Sequence, residues 1–209
     1  MNSAVRGYLS GRKGGAVPVA STAGRRGGDE PLRFVIQKHA ARQQHYDLLL
    51  EAAGVLKSWV IPHGPSSDPK ESRLALMMRD YPLDRANFEG VIPRGSCGAG
   101  EVIVWDAGVY SPDEDDTFFF GDRKEAEGRV LRGLAEGRLS LFFWGYRLAG
   151  SWALLRRRGS QREWVFQKRD DLFAEPTRDL VGEERSVLSG RTTEELREEA
   201  SDAPRQQRA

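Results

Sequence analysis

From Phe34 onward the chain is cut into short apolar runs, each closed by a turn signal before it grows long. Phe34 to Lys38 reads as one strand, Ala40 to Gln44 as a turn, and His45 opens the next strand. Val55 to Ile61 is stopped by Pro62, and the glycine and prolines of His63-Gly64-Pro65-Ser66-Ser67-Asp68-Pro69 mark a loop. Arg73 to Arg79, Glu101 to Asp106, Leu139 to Trp144, Ser151 to Arg157 and Glu163 to Lys168 repeat the pattern. Asp122 can cap one helix running to Glu136, with Gly137 past its end. Gly128 and Gly133 lower the helix propensity there. Many short strands, turn signals and one helix predict a mainly β, antiparallel fold; alternation alone does not choose a barrel over a sandwich.

The 209 residues suffice for one stand-alone domain with tails. Lys plus Arg is 32 against 31 for Asp plus Glu, so net charge does not announce a nucleic-acid binder, although a local basic surface needs only an uneven distribution. The single cysteine, Cys97, excludes an internal disulfide. It has no paired histidine to make it a nucleophile. No apolar run approaches the ~20 residues of a membrane span, and no signal-peptide core precedes the strands. The expected compartment is the cytoplasm.

Residues 1–31 are rich in Gly, Ala, Ser and Arg and read as a flexible basic arm, either a phosphate contact or an inert solubilising tail. Residues 32–193 form the expected domain, and 194–209 a polar tail with a short helix at its start. Met77 and Met78 read as core, and Asp113 to Asp116 as a solvated acidic turn. Gly95 to Gly100 lacks the Gly-Lys-Ser/Thr of a P-loop, so its glycines serve tight turning.

Two of the three histidines, His39 and His45, lie in the first hairpin, with Asp47 two residues after the second. Strand alternation puts His45, Asp47, Leu49 and Glu51 on one face and Tyr46, Leu48 and Leu50 on the other. His39, at the end of the partner strand, can supply a third donor. Two imidazoles and a carboxylate that leave open positions suit a catalytic metal; the alternative is a solvated polar strand face.

The whole string favours the metal. Gln37-Lys38-His39-Ala40-Ala41-Arg42, His45-Tyr46-Asp47, Gly54-Val55-Leu56-Lys57-Ser58-Trp59, Phe88-Glu89-Gly90-Val91-Ile92-Pro93 and Ser186-Val187-Leu188-Ser189-Gly190-Arg191-Thr192 resemble the 3′-phosphoesterase domain of bacterial ligase D, the enzyme of non-homologous end joining. The resemblance extends over residues 33 to 192. It implies a compact antiparallel β-barrel with one or two short helices that binds manganese through His39, His45 and Asp47, zinc being the alternative ion. It also implies action on 3′ ends of DNA or RNA–DNA primers, as a monomer, with a separate ligase, polymerase or end-binding protein as partner.

The phosphate-handling positions of that family depart from its pattern. Leu49 stands where the family has arginine, Tyr81 where it has histidine, and Arg85 where it has tyrosine. Arg94 replaces a glutamate, Cys97 a tyrosine and His63 a lysine. The family's acidic residues near the N-terminus have no match. The expected catalytic residues are therefore His45, Tyr81 as proton donor and Arg85 as the substitute phosphate group. Arg42, His63, Arg73, Arg85 and Arg94 are the expected nucleic-acid contacts. The competing expectation is a relative that keeps barrel and metal and binds ends without hydrolysis.

Overall fold

The computed structural model describes residues 30–202. The predicted basic arm lies outside them apart from Glu30 and Pro31, as does the end of the C-terminal tail. Ten strands and two α-helices follow in chain order among the described residues. They are β1 (Leu32–Ala40), β2 (Gln44–Ala52), β3 (Val55–Ile61), β4 (Ser72–Met77), β5 (Gly90–Ile92), β6 (Gly100–Glu114), β7 (Thr117–Phe118), α1 (Arg123–Glu136), β8 (Arg138–Gly145), β9 (Ala149–Arg156), β10 (Glu163–Lys168) and α2 (Thr193–Asp202). A 3-10 turn occupies Leu83–Asn87.

Hydrogen-bonded neighbours run β1-β2-β3-β4-β10-β9-β8-β6, and β6 pairs back onto β1. This makes a closed antiparallel barrel of eight strands, the choice that alternation left open. The inward side chains alternate as a half-buried strand requires. Phe34 and Ile36 of β1 and Tyr46, Leu48 and Leu50 of β2 point into the core, with Trp59, Trp105, Trp152 and Trp164 from other strands. Burying each such side chain stabilises the fold by about 1.5–3 kcal/mol. The rings of Trp152 and Phe166 stack at 4.7 Å, whereas Tyr46 and Trp105 meet edge-on at 5.2 Å.

The expected helix is α1. Asp122 caps it by accepting from the Glu125 N–H, and Gly137 closes it in the left-handed conformation at φ 78°. Gly133 is there for packing: a Cβ would lie 2.6 Å from the Arg138 carbonyl oxygen. The short helix expected near Glu194 is α2, held to the barrel by buried Leu196 and by the Arg197 fork on Glu101 at 3.0 and 2.8 Å.

Three expectations need correction. The strand predicted to end at Asp106 continues to Glu114, because Pro112 still pairs with Leu141 of β8. Asp113 is thus no solvated turn residue; it is buried and accepts the Ser151 hydroxyl at 2.5 Å. The turn itself sits at Asp115 and Asp116, both at positive φ. Strand β4 ends at Met77, so Met77 packs on the core while Met78 is 38% exposed.

A second apolar cluster lies on the outer face of β1 and β2. Val35, Leu49, Leu56, Val104 and Ala107 are covered there by Ala86 of the 3-10 turn and by Val187 and Leu188. Val187 donates to the Val104 carbonyl at 2.9 Å. Glu89 pins the same segment, accepting from the Val104 N–H and the Ser186 hydroxyl. Further along this face, buried Glu51 is clamped by Arg33 at 2.7 Å and Arg123 at 2.9 Å. Burial opposes the charge on Glu51, but the two guanidiniums outweigh it and hold the carboxyl below its ordinary value of 4.5. Folding therefore favours the ionised form. The stability this contributes is present above the ordinary value and is lost as pH falls through the lowered one. Glu51→Ala should lower unfolding free energy at pH 7 by about 1–3 kcal/mol, and the difference from the parent should shrink in urea titrations run at progressively lower pH.

Candidate metal centre

The β1–β2 register places Gln37 opposite Asp47 and His39 opposite His45. All four side chains leave the sheet on its outer face, because the core side is filled by their alternating neighbours Ile36, Tyr46 and Leu48. One nitrogen of each histidine and one Asp47 oxygen lie within 4.8 Å of one another. The imidazole rings are 4.7 Å apart. Asp47 lies between them, 3.7 Å from His39 Nδ1 and 3.7 Å from His45 Nε2.

Two observations show that this donor set suits a cation. His39 is 4% exposed and its Nε2 is buried with no hydrogen-bond partner, a cost that a bound ion would remove. His45 Nδ1 donates to the Gln43 carbonyl at 2.9 Å, which orients the ring and leaves Nε2 facing Asp47. Imidazole nitrogens with a carboxylate oxygen are donors that manganese and zinc both accept.

The fold brings most of the candidate residues to this cluster. Arg42 sits exposed in the turn between the two histidine strands. Ile61 pairs with Tyr46, so the loop carrying exposed His63 leaves the sheet beside His45. Arg94 is exposed in the β5–β6 loop, and that loop crosses His39: a Cβ on Gly98 would lie 3.7 Å from His39 Cε1. Cys97, in the same loop, is exposed.

Arg85 comes from the 3-10 turn. Its guanidinium stacks 4.4 Å from the Phe88 ring centroid and 5.7 Å from that of Tyr81. Burial lowers its affinity for the proton, opposed by Tyr81 and Asp47. It remains a cation at any ordinary pH, and no carboxylate among the described residues forms a salt bridge with it. Tyr81 is fixed by a backbone bridge to Leu56, with N···O distances of 2.8 and 2.9 Å.

Arg73 is placed elsewhere. Val60 pairs with Asp47 and Leu76 with Val60, so Arg73 is two strands across, about 10 Å by strand spacing, and three residues further along β4. It is ion-paired with Glu71 at 2.5 Å.

Two residues escaped the reading of the sequence. Gln37, 1% exposed, donates through Nε2 to the Arg85 carbonyl at 2.9 Å and the Phe88 carbonyl at 3.1 Å, fastening the 3-10 turn beside the cluster. Its spacing two residues before His39 was the available signal, since alternation puts both on one face. Arg79 has its guanidinium 5.6 Å from the Tyr81 ring centroid, and nothing in the sequence marks it.

The sequence profile of the DNA ligase D 3′-phosphoesterase domain family matches residues 37–156, more than half of the chain. The chain belongs to this family. The multifunctional non-homologous end joining protein LigD of Pseudomonas aeruginosa is 45% identical over 166 residues, covering 77% of this chain and 18% of that protein. The LigD of Mycobacterium tuberculosis is 42% identical over 128 residues, 61% of this chain and 15% of the relative. That of Mycolicibacterium smegmatis is 33% identical over 139 residues, 66% and 17%. The chain thus spans less than a fifth of the curated relatives it matches. Among the described residues, no helix of this phosphoesterase-family domain is long and apolar enough to cross a membrane.

Removing one donor from the cluster should weaken divalent-cation binding by at least about tenfold. Titration calorimetry with manganese on the parent and on Asp47→Asn checks this, and equal affinities would show that the ion, if bound, sits elsewhere.

Proposed function

We propose that the domain is a metal-dependent 3′-phosphoesterase acting on 3′ ends of DNA or RNA–DNA primers, in the repair of broken ends. The observation that carries this reading is the meeting of a His-His-Asp donor set with a guanidinium that feels the Asp47 charge and forms no salt bridge among the described residues. His39, His45 and Asp47 would hold the ion, manganese by family resemblance or zinc. When bound, it supplies charge that polarises a phosphoryl oxygen.

The rest of the chemistry falls to the chain's own groups. Arg85 presents a planar fork to two phosphate oxygens, and its stacking between Tyr81 and Phe88 limits the entropy lost on binding. Hydrolysis passes the phosphoryl group to water and leaves a 3′-hydroxyl, so the leaving oxygen needs a proton. We assign that proton to the Tyr81 hydroxyl, which forms no hydrogen bond to the protein among the described residues. Arg42, Arg94 and His63, exposed on the loops beside the cluster, are the groups we assign to the strand that carries the end. Such contacts position the substrate without reading its sequence. The names of the relatives place them in end joining; on our reading the domain works on broken ends in the cytoplasm, beside a ligase, a polymerase or an end-binding protein.

One observation favours a second reading, a non-hydrolytic binder of ends. Leu49 is fully buried among Val35, Leu56 and Val104, so the strand position with the shortest path to the cluster offers phosphate nothing.

Incubation with manganese and two labelled primer–templates, one ending in a 3′-phosphate and one in a 3′-ribonucleotide, separates the two. The parent should remove the end group and His45→Ala should not. Arg85→Ala should lose about 10²–10³ in rate. No turnover by a manganese-loaded parent would leave the binder.

A further inference from the structure

Arg79 and Tyr81 form an arrangement that the terminal phosphate does not use. The chain leaves β4 after Met77, is held to β3 by the Met78 N–H on the Ser58 carbonyl at 2.9 Å, and is held again at Tyr81 by Leu56. Between these anchors Asp80 turns to Lys57, whose Nζ lies 2.6 Å from its carboxylate. The acid next in sequence to Arg79 is therefore taken. Arg79 is exposed and has no ion-pair partner among the described residues. Its guanidinium lies 5.6 Å from the Tyr81 ring centroid, and that of Arg85 lies 5.7 Å from the same centroid. One half-buried ring thus carries two guanidiniums, neither in a salt bridge among the described residues, and the charge of Asp47 acts on Arg85.

Two cations on one ring, neither in a salt bridge, repel each other, and an anion bearing more than one negative centre relieves that repulsion. A nucleic-acid strand is such an anion, because its phosphates follow one another at regular intervals. We propose that Arg79 binds the internucleotide phosphate next to the 3′ end, so that the site selects a polynucleotide end over a mononucleotide. This rests on the 3′-end reading above. Arg79 is a binding and specificity residue in this scheme: it stays outside the reacting atoms, and its contribution appears in affinity and salt dependence.

The experiment uses fluorescence anisotropy of a labelled oligonucleotide ending in a 3′-phosphate, with competition by a nucleoside 3′-monophosphate. Parent, Arg79→Gln and Arg79→Lys are compared across a salt series in the presence of manganese. Arg79→Gln should bind the oligonucleotide roughly tenfold more weakly at low salt, with the slope of log affinity against log salt reduced by about one contact. Arg79→Lys should restore most of both. The mononucleotide, lacking a second phosphate, should compete equally well against all three. Equal oligonucleotide affinity and salt slope in parent and Arg79→Gln would overturn the assignment of Arg79 alone. Equal weakening for oligonucleotide and mononucleotide would also overturn it, by making Arg79 part of general site integrity. A parent that binds neither ligand would overturn this inference together with the 3′-end reading.

Discussion

The pairing of β1 with β6 is the constraint on which the rest of the molecule depends. It closes the barrel, and it runs from Leu32 opposite Tyr110 to Ala40 opposite Glu101. The register is interrupted once: Ile36 faces Asp106 and Gln37 faces Val104, so Trp105 is the extra residue of a bulge. The slip sends Trp105 into the core while Val104 and Ala107, three residues apart, both face outward. Without it one half of β6 would expose its apolar set to water. The same pairing gives β1, which carries His39 and Gln37, a hydrogen-bonded neighbour on each side.

Buried carboxylates do the work of fastening loops to this barrel. Asp106 is fully buried and accepts from the N–H groups of Ala107, Tyr146, Arg147 and Leu148. Burial pushes its carboxyl up to about 6, against the backbone bonds and the Arg147 charge that favour the anion. Glu89 ties the segment at Ser186 to β6, and Glu51 ties α1 to β1 and β2. Such a group is costly to bury alone and acceptable only because its lone pairs are filled. The cover over the outer face, which shields Leu49 and carries Arg85, therefore rests on a handful of charge-assisted bonds.

The candidate metal donors and the candidate phosphate contacts belong to different structural classes. His39, His45 and Asp47 come from one hairpin whose register fixes them together. Tyr81 and Arg85 come from a short connecting segment whose backbone is held by Leu56 and by the Gln37 side chain, and whose Tyr81, Leu83 and Ala86 pack on the outer apolar cluster. Leu49 shows the complement: on a strand under an apolar cover, a leucine is absorbed as core.

Much of this was legible in the chain by itself. Alternation around Asp47 separated the outward donors from inward Tyr46 and Leu48, and capping chemistry delimited α1, because both are local rules that depend on neighbours in sequence. The end of β6 was not legible. Pro112 reads as a strand breaker, and only a partner strand at Leu141 lets the chain continue through it. Nor was the fate of the arginines. Arg73 and Arg85 look alike in sequence, but sheet order leaves Arg73 two strands away from Asp47, whereas the 3-10 turn brings Arg85 within reach of the Asp47 charge. Short-range periodicity determined which residues share a face. Closure of the barrel decided which faces meet, because it joins strands that lie far apart along the chain.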